Sequence, residues 1–263
     1  MPTTRVLTFG CVHAQHHDPA AIEWLLARIK EYRPHTIVHL GDQMEAIAAS
    51  KWADAKESTV TLEEEFRISD RILGAIRKTA PRGCSLVFLP GNHDANLEAI
   101  DRVPKLLRTL TTWRTPHTLP GGEVVNRELP THWRVPCEYL YCRKRGVFRV
   151  GQVTFAHGFE CGLSSDETQS IKLGNPSGLF ISAHTHRPLS VTQALRTKRT
   201  PLPYWYANVG CLRHMKPDYM ARKDTSLWGQ ACLTVEIDPR GRPGGPRRWD
   251  AHLHLFRMYG ETP

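Results

Sequence analysis

Short apolar runs that end at polar, ligand-type side chains recur along the chain. β-branched and aromatic residues in these runs favour buried strands, and a glycine such as Gly41 lets the backbone turn sharply where a strand ends. The runs are residues 36–42 ending at Asp42, residues 85–94 ending at Asn92, His93 and Asp94, and residues 178–186 ending at His184 and His186. Because the polar residues all follow strands, the pattern predicts that they share one site.

Two amphipathic helices are predicted between the first strands. Residues 5–9 form a strand-like run that leads to Cys11 and His13, and a helix then begins at the N-cap Asp18. A capping box at residues 61–64 begins the second helix. Apolar residues at helical spacing are Ile22, Leu25, Leu26 and Ile29 in the first helix and Leu62, Phe66, Ile72, Leu73 and Ile76 in the second. Alternating strands and helices predict a parallel sheet, which is half of an α/β sandwich.

The second half of the chain is predicted to be mostly antiparallel. Residues 151–157 resume the strand pattern and end at His157, and a short helical connection leads to the strand before His184. Strand-like runs then follow without helices between them. These runs are residues 189–193, 205–209, 231–237 and 253–258.

A long segment between these halves loses the periodic pattern. Residues 101–149 mix aromatic and proline residues with ten Lys and Arg against four Asp and Glu. Such a mixture can stack bases and hold phosphates, although Trp and Pro can equally serve to pack a loop. We therefore predict a single domain over residues 1–263, with an inserted cap at about residues 101–149 that faces the substrate.

Composition changes this picture in two ways. The 263 residues carry a net charge of +9, which attracts polyanions but also fits an ordinary basic surface. Seven cysteines without a Cys-x-x-Cys pair argue against a disulfide framework. No run approaches the roughly 20 apolar residues of a membrane span, and no signal-peptide pattern is present. We expect a cytoplasmic protein without a membrane partner, and the oligomeric state stays open.

The strand-end residues match the donors that divalent cations accept. Imidazole, carboxylate and amide groups suit Mn, Fe, Zn or Ni. In chain order the motifs are Cys11-x-His13, Gly41-Asp42, Gly91-Asn92-His93-Asp94, His157-Gly158 and His184-Thr185-His186. This order resembles the calcineurin-like metallophosphoesterases over residues 5–188. The resemblance implies an α/β fold, a β-sandwich of two mixed sheets flanked by helices, with the metal site at the C-terminal ends of the strands.

A narrower resemblance is to the bacteriophage and prophage phosphoesterases. It is carried by residues 34–42, by the Thr-Leu-Glu-Glu-Glu start of the second helix, and by residues 206–212. A phage origin would place the protein in the cytoplasm of a bacterial host cell.

The resemblance also implies a role for each motif residue. His13 and His186 would bind a first divalent ion, Asn92, His157 and His184 would bind a second, and Asp42 would bridge them. In the family the two ions polarise the phosphoryl oxygens and hold a hydroxide for in-line attack. His93 would donate a hydrogen bond or a proton to the leaving oxygen, and Asp94 would orient the His93 imidazole.

Cys11 departs from the family pattern, which has aspartate as a ligand of the first metal. The thiolate could still coordinate and favour Zn or Fe over Mg or Mn. Alternatively, Cys11 is a bystander, and the first site is weak, empty or completed by His16, His17 or Asp18. A third reading is a binding module without catalytic activity.

These observations predict a metal-dependent phosphodiesterase or nuclease whose substrate is a nucleotide or a nucleic acid. The positive charge, the basic segment 101–149 and Arg187 beside the motif histidines favour this substrate over a phosphoprotein. One alternative is a phosphomonoesterase acting on a small molecule or a phosphoprotein. Another is a nucleic-acid-binding module that has lost its first metal through Cys11.

Overall fold

Two β-sheets face each other across an apolar layer. The computed structural model describes residues 2–47, 60–98, 113–118, 124–129, 139–141, 146–162, 164–194, 202–215 and 225–260. The first sheet has the order β13-β12-β1-β2-β3-β6, the second has the order β10-β11-β9-β8-β7, and β4 pairs with β5. The strands are β1 Thr4–Phe9, β2 Thr36–His39, β3 Ser85–Phe88, β4 Trp113–Thr118, β5 Val124–Leu129, β6 Tyr139–Tyr141, β7 Val147–Val150, β8 Val153–Ala156, β9 Leu179–Ser182, β10 Pro188–Gln193, β11 Trp205–Val209, β12 Gly229–Ile237 and β13 Trp249–Met258. The predicted sandwich of two mixed sheets is confirmed.

The described helices are α1 Pro19–Tyr32, α2 Leu62–Thr79, α3 Ala95–Glu98 and α4 Ser165–Leu173. As predicted, the Asp18 side chain accepts hydrogen bonds from the first backbone amides of α1, and the Thr61 hydroxyl accepts one from the Glu64 amide. In this described part of the chain, no helix is both long and apolar enough to cross a membrane.

Alternating side chains of the first sheet fill two separate apolar layers. Leu7 and Ile37 belong to the layer that contains residues of α1 and α2, while Val6 and Val38 belong to the layer that contains Phe155 and other residues of the second sheet. This alternation follows from the period of two in a strand. Because β1, β2 and β3 are parallel, their C-terminal ends meet at the same edge.

The second half is mostly antiparallel, as predicted, because β7 with β8, β10 with β11 and β12 with β13 pair in this way, but it also contains two parallel pairings. β8 pairs parallel to β9, and β9 pairs parallel to β11. The chain crosses from β9 to β11 through the edge strand β10, which pairs antiparallel with β11. The short helical connection predicted before β9 is α4, whereas β9 and β11 are separated in the chain by the strand β10.

The segment 101–149 contributes strands that the pattern did not predict. β4 and β5 form an antiparallel pair, β6 extends the first sheet beside β3, and β7 begins within the segment. The rest of the predicted cap lies outside the described residues. Its substrate-facing role, and the single-domain organisation, stay predictions.

Candidate metal centre

The polar residues after β1, β2 and β9 all turn into one cleft with left-handed backbone conformations. Cys11, His13, Asp42, His184 and His186 have φ angles of 53°, 49°, 53°, 61° and 60°. Such angles are unfavourable for residues other than glycine, and they cluster at functional sites. The loops are tied together, because the amides of Cys11 and His13 donate to the carbonyls of Gly41 and Asp42 over 2.9 Å each.

One group of donors forms around His13. Its Nε2 atom lies 3.2 Å from His186 Nε2, and ligand atoms of Cys11, His13 and His186 all lie within 4.8 Å of one another. All three residues are buried. These are the residues expected around the first metal.

A second group forms around His157. Its Nε2 atom lies 3.1 Å from Asp42 Oδ2, 3.1 Å from Asn92 Oδ1 and 3.2 Å from His184 Nδ1. Asp42 Oδ2 also lies 3.8 Å from His13 Nε2 in the first group. The structure therefore places Asp42 between the two groups, where a bridging carboxylate is expected.

For three of the four histidines, the contacts of one ring nitrogen show that the other ring nitrogen faces the candidate metal centre. His13 Nδ1 lies 2.5 Å from Glu45 Oε2, and His157 Nδ1 donates to Leu40 O over 2.7 Å. His184 Nε2 lies 3.0 Å from Cys161 Sγ. These contacts leave His13 Nε2, His157 Nε2 and His184 Nδ1 for the cleft, as in metal sites whose ligands are oriented by hydrogen bonds on the other ring nitrogen.

His186 supplies a test of whether cations fit. Its Nδ1 atom is buried and, within the described part of the chain, has no hydrogen-bond partner. Its Nε2 atom faces another imidazole nitrogen at 3.2 Å, so at most one hydrogen can lie between them. His13 donates through Nδ1 to Glu45 and so presents a lone pair at Nε2, and a cation can take this lone pair together with that of His186 Nε2. The donor set therefore fits divalent metal ions.

Burial keeps three of the imidazoles neutral, the form that binds metal. It lowers the pKa of His13 and of His184 to about 4 each, and it lowers the pKa of His186 well below its ordinary value. For His157, burial opposes protonation, but the adjacent Asp42 carboxylate outweighs it and raises the pKa. For Asp42, burial opposes ionisation, but the charge of His157 holds the carboxyl pKa well below its usual range.

Asp94 makes hydrogen bonds to backbone amides, and its role in orienting His93 stays a prediction. Its carboxylate accepts backbone N–H groups of Asp42 over 2.7 Å, Gly91 over 3.0 Å and Met44 over 3.1 Å. The carboxylate is thus used to fix the loop that carries Asp42. His93 Nδ1 donates to the carbonyl of Glu45 over 3.0 Å, and the half-buried His93 ring lies at the rim of the cleft.

Glu45 and Arg213 are buried charged residues that the sequence reasoning missed. Arg213 Nη1 donates to Glu45 Oε2 over 3.4 Å, and the same carboxylate contacts His13. Burial opposes ionisation of Glu45, but His13 and Arg213 favour it and lower its pKa. The position of Glu45, three residues after Asp42, was the available signal, because the turn after a strand end returns the chain toward the cleft.

The other residues considered as substitutes for Cys11 have different contacts. Asp18 accepts the amides of α1 and the Gln230 side chain, and His17 Nδ1 donates to Ala14 O over 2.6 Å. Cys11 Sγ accepts the His184 amide over 3.2 Å and belongs to a further group with Asp42 and His157. Burial, followed by the Asp42 charge, raises the pKa of the Cys11 thiol well above its ordinary value.

The fold and the strand-end cluster together define a metallophosphoesterase. A family model described as calcineurin-like phosphoesterase matches residues 4–213. The chain therefore belongs to the calcineurin-like phosphoesterase family, a family of metal-dependent phosphoester hydrolases. A comparison with curated proteins finds no match.

Solved structures of Vps29 match nearly the whole chain at low identity. Vps29 of Cryptosporidium parvum is 12% identical over 97% of this chain and 99% of that chain, with a TM-score of 0.43. Wild-type Vps29 of Entamoeba histolytica complexed with Zn²⁺ is 13% identical over 96% and 99%, with a TM-score of 0.42. Vps29 of Chaetomium thermophilum is 10% identical over 98% and 97%, with a TM-score of 0.42. Similarity at this level carries no argument about the function of this chain.

Proposed function

We propose that this protein is a phosphodiesterase, acting on nucleotides or nucleic acid, that uses two divalent cations. The observation that supports the proposal is that the donor groups around His13 and His157 share Asp42, beside the C-terminal ends of the strands. Asp42 Oδ2 lies 3.1 Å from His157 Nε2 and 3.8 Å from His13 Nε2, so one carboxylate serves both groups.

The residues of the cleft divide between the two cations. Cys11, His13 and His186 would hold the first cation, Asn92, His157 and His184 the second, and Asp42 would contact both. When bound, such a pair supplies Lewis-acid activation of the phosphoryl group and of a water molecule.

His93 is suited to assist the leaving group. Its Nδ1–H donates to Glu45 O over 3.0 Å, which fixes the ring and leaves Nε2 for the leaving oxygen of a bound ester. The ring is partly exposed at the rim of the cleft, so an ester that enters from solvent can reach it.

We further propose that Cys11 binds the first cation as a thiolate. Its sulfur lies within 4.8 Å of ligand atoms of His13 and His186, and a bound metal deprotonates a coordinating thiol. A sulfur ligand favours Zn or Fe over Mg or Mn. Titration with Co²⁺ tests this, because a sulfur-to-cobalt charge-transfer band should appear in wild type and be absent from Cys11→Asp. If wild type binds Co²⁺ without that band, Cys11 is a bystander.

The net charge of +9 supports an anionic polymer or nucleotide as substrate. Arg187, one of the residues that suggested this class, donates to Gly162 O over 2.7 Å and so has a structural contact as well. Similarity to bacteriophage and prophage phosphoesterases, and a role in a bacterial host cell, remain part of the proposal.

The direct test compares three substrates after the metal content has been measured. Purified protein loaded with Mn²⁺, Zn²⁺ or Fe²⁺ should bind two metals and hydrolyse bis(p-nitrophenyl) phosphate and DNA. Activity on p-nitrophenyl phosphate alone would favour the phosphomonoesterase. Fewer than two metals and no turnover with any ion, together with DNA binding, would indicate the module without catalytic activity.

A further inference from the structure

An exposed aromatic ring stands beside the candidate metal centre. Phe159 follows the ligand-type residue His157 by two positions, its side chain is 57% exposed, and the two rings lie 6.4 Å apart between centroids. In the described part of the chain, the other exposed large apolar residues are the aliphatic Leu202, Leu227 and Leu255. Single exposed apolar residues are common, but the loop that carries this one is held in place by buried and structural partners.

The loop that carries Phe159 is fixed at both ends. At its start, the Phe159 amide donates to Oε1 of the buried Gln169 over 3.0 Å, and Gly158 turns with φ of 96°. At its end, the Gly162 carbonyl accepts hydrogen bonds from Arg187 Nη2 over 2.7 Å and from Ser165 Oγ over 2.9 Å.

The same loop also contacts a proposed metal ligand through Cys161. Cys161 Sγ is 3.0 Å from Nε2 of His184, the outer nitrogen of that imidazole. The ring of Phe159 is therefore presented on a backbone whose position is tied to His157 and His184. An aromatic ring on a backbone held in this way loses less conformational entropy when a planar ligand covers it than a ring on an untethered loop.

We propose that Phe159 is a stacking platform for the base of a nucleotide whose phosphate lies at the metal centre. This inference rests on the proposed phosphodiesterase function and names its substrate class as nucleobase-bearing phosphate esters. Stacking of a base on an aromatic side chain contributes about 1–3 kcal/mol and tolerates any base, since every base has a π-face. Phe159 would thus favour nucleotides over simple alkyl esters without reading a sequence.

The test uses two diesters with the same leaving group. Thymidine 5′-(p-nitrophenyl phosphate) carries a base, and methyl p-nitrophenyl phosphate does not. For Phe159→Ala we expect kcat/KM for the thymidine ester to fall about 5- to 150-fold, the change that 1–3 kcal/mol produces, while the value for the methyl ester stays within about twofold. Phe159→Trp should retain the preference, because its ring also stacks.

Leu202→Ala is the matched control. Leu202 is also exposed, and it lies beside Gly244, before the start of β11 and away from the strand ends that carry the histidines. Its loss should leave both esters unchanged. Equal rates of Phe159→Ala and wild type on the thymidine ester, or an equal fall on both esters, would overturn the stacking role.

A binding measurement separates this inference from the proposed activity. Calorimetry with thymidine 5′-monophosphate and with methyl phosphate should show weaker binding of the nucleotide alone in Phe159→Ala. If wild type hydrolyses neither diester, the proposed function fails. The affinities of wild type and Phe159→Ala for thymidine 5′-monophosphate and for methyl phosphate still test the role of Phe159. Equal affinity of wild type and Phe159→Ala for thymidine 5′-monophosphate refutes the platform.

Discussion

Replacing Gly91 by alanine should damage the metal centre although none of the proposed ligands is substituted. A Cβ atom added at Gly91 would overlap the Asp42 carboxylate, and it would lie 2.7 Å from Asp42 Cγ. Gly41 is packed just as closely, because its Cβ would lie 2.7 Å from Gly91 Cα. The two glycines let the loops after β2 and β3 meet, so a side chain at either one must push Asp42 away.

The size of the effect follows from these distances. Carbon atoms in contact are separated by about 3.5–4.0 Å, so Asp42 must move by roughly 1 Å to accommodate the new methyl group. Functional groups must be held to about 0.5 Å, and a misplacement of 1 Å can cost about 100-fold in rate. We expect Gly91→Ala to lower kcat/KM by about 100-fold, to lower metal content, and to cost about 1–3 kcal/mol of stability through overpacking.

Gly74→Ala is the control for this substitution. Gly74 lies inside α2, and a Cβ atom there would meet nothing within 4 Å. Alanine is the better helix former by about 1 kcal/mol, so this variant should be slightly more stable with unchanged activity. The assays are hydrolysis of bis(p-nitrophenyl) phosphate, elemental analysis after dialysis and urea unfolding. A Gly91→Ala protein with two bound metals and wild-type kcat/KM would refute the close-packing argument.

Three further substitutions test other parts of the site. Asp42→Ala should empty both metal positions and abolish hydrolysis, and full metal content with retained activity would contradict the bridging role. His93→Ala should keep both metals but slow turnover by about 10²–10⁴-fold, with a smaller loss on esters of good leaving groups; loss of the metals would reassign it as a ligand. Glu65→Gln tests the buried carboxylate that accepts the amides of Glu45 and Ala46. Burial raises the Glu65 pKa from 4.5 to about 7, so folded protein binds its proton more tightly than unfolded chain. This favourable contribution is complete below pH 4.5 and is lost as the pH rises through 7. Between pH 4.5 and pH 8, the free energy of unfolding of Glu65→Gln should therefore rise by about 3 kcal/mol relative to that of wild type. The same difference between the two proteins at both pH values, measured by urea unfolding, would contradict this expectation.

The sequence alone was sufficient for the elements whose signals are local. Asp18 and Thr61 cap the helices that they were predicted to begin, and the apolar runs before Asp42 and His184 are strands. An N-cap or a short β-branched run depends on neighbouring residues only, which explains why these predictions agree with the structure.

Pairing between strands could not be predicted in the same way. β9 and β11 are neighbours because β10 lies at the sheet edge, and β6 joins β3 from a segment without a clear pattern. Both pairings join residues far apart in the chain, and their stability comes from contacts that the local pattern does not contain.

The chain's own order of residues determined which chemical groups stand at the strand ends: Asp42, four histidines, an asparagine and, unusually, the thiol of Cys11. Only the tertiary structure decided what each group faces. Glu45 contacts His13, Cys161 contacts His184, and Asp94 accepts backbone amides. These contacts depend on side chains that the fold brings together across long separations, at distances of about 3 Å that no spacing in a sequence encodes.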